Sequence, residues 1–420
     1  MAIEARDLIP DASAVLPCGV VGGAGCLQKK AQFSAPVIGG AAQLPLWEQE
    51  DAPIAENPEF LSKQLLTYIG NKRSLLGEIG TAVTKVKKRL NKERLRILDA
   101  FAGSGVVSRS FKGHASYLAS NDMECYAAVV GRCYLANASD LDWPRVIEAI
   151  RHLNDAARSH AFQPGFIEEL YAPRDEANIT VSDRVFYTRR NAQLLDNYRR
   201  LLPMVPGDLR DLCLGPLLSE ASVHANTAGV FKGFYKDRNT GIGQFGGTNA
   251  DALTRIRGEI RLEAPVLSRF ECEFDVLQED ANRAVRMVRD LDLAYFDPPY
   301  NQHPYGSNYF MLNLLVNSER PAEISQVSGI PVDWKRSAYN VRAKALSSLR
   351  DLLHATDARF LLVSFNNEGF VSRNDMDEML RNLGSVEVME TRYNTFRGSR
   401  NLRNRNIHVT EQLFLVERSA

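Results

Sequence analysis

The sequence predicts an α/β protein, a doubly wound parallel sheet interrupted by an inserted and mostly helical domain. Three observations carry that prediction. A short strand, a glycine turn, a helix and a second strand follow one another between Leu95 and Asp122, the pattern of a βαβ unit. A largely apolar strand, Leu291 to Phe296, stops at Asp297-Pro298-Pro299-Tyr300. Between the two, residues 140–265 show helical patterns and lack recognisable core strands.

Composition is consistent with this class. A chain of 420 residues, 45% hydrophobic and 24% charged, is long enough for about two to three domains and a large core. A collagen-like or wholly disordered chain is excluded, and the longest apolar stretches fall short of a membrane span. Lysine plus arginine (51) equals aspartate plus glutamate (51), which argues against a uniformly basic coat of the kind that binds nucleic acid indiscriminately. The balance is uneven along the chain, since residues 1–60 carry a net −5 and the remainder +5. That first segment, rich in Ala, Gly and Pro, reads as an acidic, flexible extension in which Leu44, Leu46 and Trp47 offer docking side chains. The six cysteines contain no Cys-x-x-Cys pair and no zinc spacing, so no metal site is expected and they read as reduced thiols of a cytoplasmic protein. The apolar stretch Ala12 to Leu27 follows Asp7 and Asp11 rather than basic residues, against a signal peptide.

In chain order, apolar residues from Leu75 to Leu90 recur at the spacing of one helical face. Lys85, Lys87, Lys88 and Arg89 suit the negative end of that helix dipole and read as a solvated helix end ahead of a DNA contact. The strand Leu95 to Leu98 runs into Asp99-Ala100-Phe101-Ala102-Gly103-Ser104-Gly105, a helix, and a strand around Ser116 to Ala119. Gly103 and Gly105 sit where missing side chains let a ligand approach the backbone. Ser108 replaces the third glycine of a dinucleotide fingerprint, so an adenosine-like ligand fits better than NAD. Asp122 stands where a carboxylate can accept from ribose hydroxyls, its alternative being a solvated loop aspartate.

Helical patterns follow at Val146 to Ala161 and Val185 to Leu202, then a loop, His224 to Gly247, in which Phe231, Phe234, Tyr235 and Phe245 interleave with Lys232, Lys236 and Arg238. Those cations are candidate DNA contacts; core packing is the alternative for Phe231 and Phe234. Strands resume at Phe270 to Leu277, Leu291 to Phe296, Ala358 to Phe365, Val386 to Arg392 and Val409 to Val416. The two prolines after Asp297 fix the backbone and supply no donors, which makes a rigid turn. The same rigidity can aim a carboxylate, a carbonyl and an aromatic face at the carboxyl end of the sheet, where doubly wound folds bind ligands.

At this point the sequence resembles the alpha-class S-adenosylmethionine-dependent DNA adenine methyltransferases. The matching pieces are Tyr68-Ile69-Gly70-Asn71-Lys72-Arg73, Phe101-Ala102-Gly103-Ser104-Gly105, Asp122, Glu279-Asp280, and Asp297-Pro298-Pro299-Tyr300 with its continuation to Tyr309. The late Arg397-Gly398-Ser399-Arg400-Asn401 before Val409-Thr410-Glu411 is also similar to members of this class. The resemblance implies a Rossmann-like methyltransferase sheet divided into a cofactor half (61–140), a helical target-recognition insertion (141–265) and a catalytic half (266–420), after the extension 1–60. It implies catalysis at Asp297, Pro298, Pro299 and Tyr300. It places S-adenosylmethionine against Tyr68, Lys72, Asp99, Phe101, Gly103, Gly105, Asp122, Asp280 and Ala281, although Asp280 also reads as a helix start and Lys72 as a surface lysine. Duplex DNA is the implied partner, met by Arg397, Arg400 and Arg403 or by Lys232, Lys236 and Arg238, with a restriction endonuclease sharing the target site where the enzyme is not an orphan. The chemistry suits these residues: the adenine amine is a poor nucleophile, and Asp297 with the Pro298 carbonyl can accept its two hydrogens while Tyr300 stacks on a flipped base. Alternatives are an RNA adenine or protein glutamine methyltransferase and a non-catalytic DNA-binding regulator. Asp297 rather than asparagine, and the large insertion, favour DNA adenine.

Overall fold

Residues 55–159, 163–247, 252–366, 369–394 and 408–419 are described by the structure, a computed structural model. Most of the expected extension, with Leu44, Leu46 and Trp47, lies outside the described residues, as do Cys18 and Cys26. The end of that segment is not a tail. Asn57 caps the helix Pro58–Ser62, Glu56 accepts hydrogen bonds from Ser268 Oγ (2.5 Å) and Arg269 N (2.9 Å), and Phe60 is buried beneath the Arg109 guanidinium, 5.3 Å from its ring centre.

Seven strands form one sheet in the order β3-β2-β1-β4-β5-β7-β6. They are β1 (Leu95–Asp99), β2 (Ala115–Asn121), β3 (Glu273–Leu277), β4 (Leu291–Phe296), β5 (Ala358–Asn366), β6 (Gly384–Asn394) and β7 (His408–Arg418). The first five run parallel, with Ile97 beside Leu293 and Phe296 beside Val363; β7 is antiparallel to both β5 and β6. Every residue of β4 is buried, as expected of a central strand covered on both faces. From β1 the chain moves outward to β2 and β3 and then returns to place β4 on the other side of β1. This reversal opens a crevice at the carboxyl ends of β1 and β4.

Helices cover both faces. Ile79, Val83 and Val86 of the helix Leu76–Leu90 pack with Ile97, Leu293 and Phe360 on one side. On the other, Val285, Leu349, Leu352, Met376 and Leu380 meet Leu98, Ala294, Leu361 and Val363. The basic residues at the end of Leu76–Leu90 are more than a solvated end. Lys85 lies 2.7 Å from Glu387 on β6, and Arg89 pairs with Glu387 and with Glu417 on β7, while Asn91, in the left-handed region at φ 51°, stops the helix.

The insertion is helical, with Trp143–Ser159, Phe166–Tyr171, Arg189–Leu201, Gly207–Val223 and Leu253–Arg257. Its first four helices share one hydrophobic core with Cys125–Tyr134 and Phe310–Asn317, which belong to the flanking halves. The helix expected from Val185 begins instead at Arg189, because Thr188 caps it through Asn191 N (3.2 Å) and the backbone of Phe186 is committed outward, to Tyr171 O and Asn226 N. Val185, Phe186 and Tyr187 are buried, which gave an extended segment the apolar spacing of a helix. Among the described residues no helix is long and apolar enough to cross a membrane.

Candidate active site

Four strand ends converge on the crevice. After β1, the buried Asp99 accepts from Ser108 Oγ at 2.6 Å, and Ser108 in turn meets Ser120 Oγ at 2.9 Å, so the turn, the helix behind it and β2 are tied together from beneath. Burial pushes the Asp99 carboxyl up to about 7. Gly103 has φ +52° and a Cβ there would lie 3.0 Å from the Tyr68 ring. Its N–H donates to Asp122 Oδ2 at 2.8 Å, while Asp122 Oδ1 accepts from Glu124 N at 2.9 Å. Asp122 is therefore a held carboxylate after β2, not a solvated loop residue. Gly105, at φ +73°, leads into the helix Val106–Phe111.

After β3, Asp280 caps the helix Ala281–Met287 through Asn282 N (2.9 Å) and also lines the cleft, so its two sequence readings coexist. The cleft encloses about 800 Å³ including its open mouth, within the range of ligand sites. Tyr68, Lys72, Phe101, Gly103, Asp122, Asp280, Ala281, Asp297 and Pro299 line it together; Asp99, Gly105, Pro298 and Tyr300 do not. Phe101 stands edge-on to Tyr339, with ring centres 5.3 Å apart.

After β4, Asp297 meets Lys72. Lys72 is only 3% exposed, so the surface-lysine alternative does not hold, and its Nζ lies 3.0 Å from Asp297 Oδ1 and 3.0 Å from Glu411 Oε1. Burial would lower the Lys72 pKa, but the two carboxylates outweigh it and hold the ammonium well above its usual value. For Asp297, burial pushes the carboxyl up, Lys72 pulls it back and Glu411 adds to the rise, leaving it at about 6. Tyr300 packs edge-on to Phe365 (6.4 Å), and its ring centre lies 5.9 Å from Lys72 Nζ.

The Gly70-Asn71-Lys72 turn is held from one side by tyrosines. Tyr68 stacks with Tyr309 (4.5 Å) and Tyr305 (5.2 Å), whose own ring centres are 6.1 Å apart, all three rings being nearly parallel. Ile69 N donates to Tyr309 Oη at 2.7 Å, and Tyr305 Oη donates to Ile69 O at 3.3 Å. Gly70 takes φ +75° in contact with Tyr305, where a larger residue would be strained.

Sequence reasoning did not assign several lining residues a role. Glu124 is buried, accepts from Asn313 Nδ2 at 2.6 Å, and is pushed by burial up to about 7. Lys335, Ser337 and Asn340 reach the cleft from a loop and the short 3-10 turn Ala338–Asn340 that follows it, with no periodicity to mark them. For Glu411 a signal existed: an acidic residue beside the apolar run Leu413 to Val416.

Of the candidate DNA contacts, Lys232 and Arg238 are exposed, and Lys232 Nζ lies 3.3 Å from His303 Nδ1, just beyond the Asp-Pro-Pro-Tyr turn. Lys236 Nζ sits 4.8 Å from the Phe234 ring centre. Phe231 is buried in the helical core and Phe234 packs edge-on to Phe186 (5.1 Å), so core packing accounts for both. Arg397, Arg400 and Arg403 lie outside the described residues.

The model of the D12 class N6 adenine-specific DNA methyltransferases matches residues 68–376, which include the glycine turn after β1, the insertion and the Asp297 motif. The chain belongs to that family. This methyltransferase is 28% identical over 336 residues to the type II methyltransferase M.CviAII of Paramecium bursaria Chlorella virus 1, covering 79% of this chain and 92% of that protein. It is 26% identical over 367 residues to the type II methyltransferase M.NlaIII of Neisseria lactamica, covering 83% of this chain and 100% of that one. Modification methylase StsI of Streptococcus sanguinis is 26% identical over 369 residues, 84% of this chain and 52% of that protein. The RNA, protein-glutamine and non-catalytic alternatives are not favoured. The family match ends before β7, so Glu411 is outside it.

Proposed function

We propose that this methyltransferase moves a methyl group from S-adenosylmethionine to the exocyclic amine of an adenine flipped out of duplex DNA at a specific short site. The observation that carries the proposal is that Asp297, at the carboxyl end of β4, opens onto the same cleft as Gly103 and Asp122 at the ends of β1 and β2. Bound S-adenosylmethionine supplies a methyl group on a positively charged sulfur.

The cleft fits that donor. The Asp122 carboxylate accepts backbone N–H groups, Gly103 on one oxygen and Glu124 on the other, and keeps lone-pair capacity for a ribose hydroxyl. Gly103 leaves the backbone open to close approach, Val106, Val107 and Ala281 give apolar wall for a base, and Asp280 can accept from an adenine amino group. Asp99 and Gly105 act beneath this surface by shaping the turn. Tyr68 and Lys72 close the pocket on the side of the target base.

Asp297 and the Pro298 carbonyl each accept one hydrogen of the adenine amine, which draws its lone pair out of the ring and toward the methyl donor. The proton shed by the methylated amine passes to the Asp297 carboxylate and on to solvent. A carboxylate held near pH 6 suits both duties. Tyr300, with Pro299, stacks on the flipped base; such stacking is worth roughly 1–3 kcal/mol and offsets much of the few kcal/mol needed to unstack it. Lys232, Lys236 and Arg238, together with Arg397, Arg400 and Arg403, meet DNA, and residues 141–265 select the site between the cofactor half 61–140 and the catalytic half 266–420.

The type II and modification-methylase names of its relatives support a protective role beside a restriction endonuclease that reads the same sequence. Incubating the purified chain with methyl-labelled S-adenosylmethionine and duplex DNA, then analysing nucleosides, tests the reading. N6-methyladenine is expected, and no label in DNA of any sequence would refute it.

A further inference from the structure

Glu411 reaches the site by an antiparallel strand. Because β7 runs against β5, Glu411 near its beginning pairs with Asn366 at the end of β5 and so arrives at the carboxyl end of the sheet, where Asp297 also lies. It is buried, accepts from Ser364 Oγ at 2.6 Å, and stands 3.0 Å from Lys72 Nζ. One buried lysine is enough to neutralise Asp297, and burying the Glu411 carboxylate beside it is costly. Among the described residues its presence leaves a three-member cluster, Asp297, Lys72 and Glu411, with net charge −1.

We propose that Glu411 is a positioning residue for methyl transfer: by holding Lys72 between two carboxylates it keeps Asp297 a strong hydrogen-bond acceptor instead of the neutralised half of an ion pair. This rests on Asp297 being the acceptor for the adenine amine. The titratable groups facing Asp297 are Lys72, Glu411, Tyr295, Tyr300, Tyr305 and Asp99, of which Lys72 alone is a cation among the described residues. Dividing that cation between two anions weakens its pull on each. Removing the Glu411 charge gives Lys72 wholly to Asp297, which then releases its proton more easily and accepts a hydrogen bond less strongly. The sign is fixed by the geometry: an anion removed from this distance lowers the pKa of a carboxylate.

The test uses the full chain with aspartate carboxyls labelled with ¹³C, titrated by NMR without DNA or methyl donor, the Asp297 signal being the one lost in Asp297→Asn. The pH profile of single-turnover methyl transfer is measured in parallel. In Glu411→Gln the Asp297 midpoint is expected to fall by about one pH unit. The acid limb of the rate profile should follow it, the rate at neutral pH should drop, and DNA affinity should hold. Glu411→Asp should restore both readouts in part. Lys72→Met should move the midpoint upward, and Lys72→Met with Glu411→Gln should return it toward the wild-type value. An unmoved midpoint in Glu411→Gln, with or without loss of rate, overturns the proposal by leaving Glu411 only structural. Should Glu411→Gln not fold, the double variant decides, since it removes one charge of each sign; a midpoint equal to that of Lys72→Met overturns the proposal. If Asp297→Asn keeps full transfer, the acceptor reading fails and this proposal falls with it, a result separable from a failure of Glu411 alone.

Discussion

Gly103 N donates to Asp122 Oδ2 at 2.8 Å, which ties the turn after β1 to the end of β2 and fixes the carboxylate from the backbone side. The same glycine lies 3.0 Å, at a Cβ it does not have, from the Tyr68 ring. Gly103→Ala is therefore expected to strain the turn and push Tyr68 out of its stack, weakening S-adenosylmethionine binding about tenfold, or roughly 1.4 kcal/mol. Isothermal titration calorimetry checks it, and unchanged affinity would show that the donor does not approach this turn.

Among the described residues Lys72 is the one cation between Asp297 and the buried Glu411. Lys72→Ala leaves Asp297 and Glu411 facing each other without it, and such breakage of a buried pair costs about 3–5 kcal/mol. Urea denaturation should show that loss, with part of it recovered when Glu411→Gln is added. A loss within 0.5 kcal/mol, about the scale of surface substitutions, would contradict the burial of this cluster.

The pH dependence has two opposite signs. Asp297 must be ionised to accept the amine hydrogen, so the rate of transfer should fall as pH drops through about 6. Stability responds the other way, because the folded-state carboxyl is raised above an unfolded value of about 3.9. The folded state then binds the proton more tightly, and this group's contribution to stability grows as pH falls from about 6 toward about 4. Asp99 and Glu124, raised to about 7, share that sign. Rate profiles and denaturation at matched pH values check the crossing trends.

Much of this site was legible in the sequence, for a physical reason. β4 occupies residues 291–296 as its apolar run predicts, because a central strand buried on both faces needs no help from alternation to be seen. Gly103, Asp122 and Asp280 are strand-end residues, so finding the strands located them. What escaped detection depends on tertiary placement. Glu411 reaches Lys72 only because β7 is antiparallel, a topology no local pattern records. The tyrosine stack of 68, 305 and 309 joins segments far apart in the chain, and the helix predicted from Val185 starts at Arg189 because burial in the extended segment before it resembles a helical face.

The charge asymmetry gives a further outcome. Glu56 and Phe60 are anchored on the body, so the segment to delete is confined to residues 1–54, which carry a net −3. Its deletion should raise nonspecific DNA affinity at low salt, with the gain screened away as salt increases. Fluorescence anisotropy across a salt series measures this, and superimposable binding curves would refute it.

Asp297 is the residue on which the account turns. The most direct measurement is single-turnover methyl transfer to duplex DNA by the wild-type chain and by Asp297→Ala, read as N6-methyladenine, with donor affinity measured on the same preparations. The account predicts a loss of about 10²–10³-fold in rate with donor affinity essentially retained. Transfer by Asp297→Ala at the wild-type rate, or a methyl group found elsewhere than on the adenine amine, would contradict it.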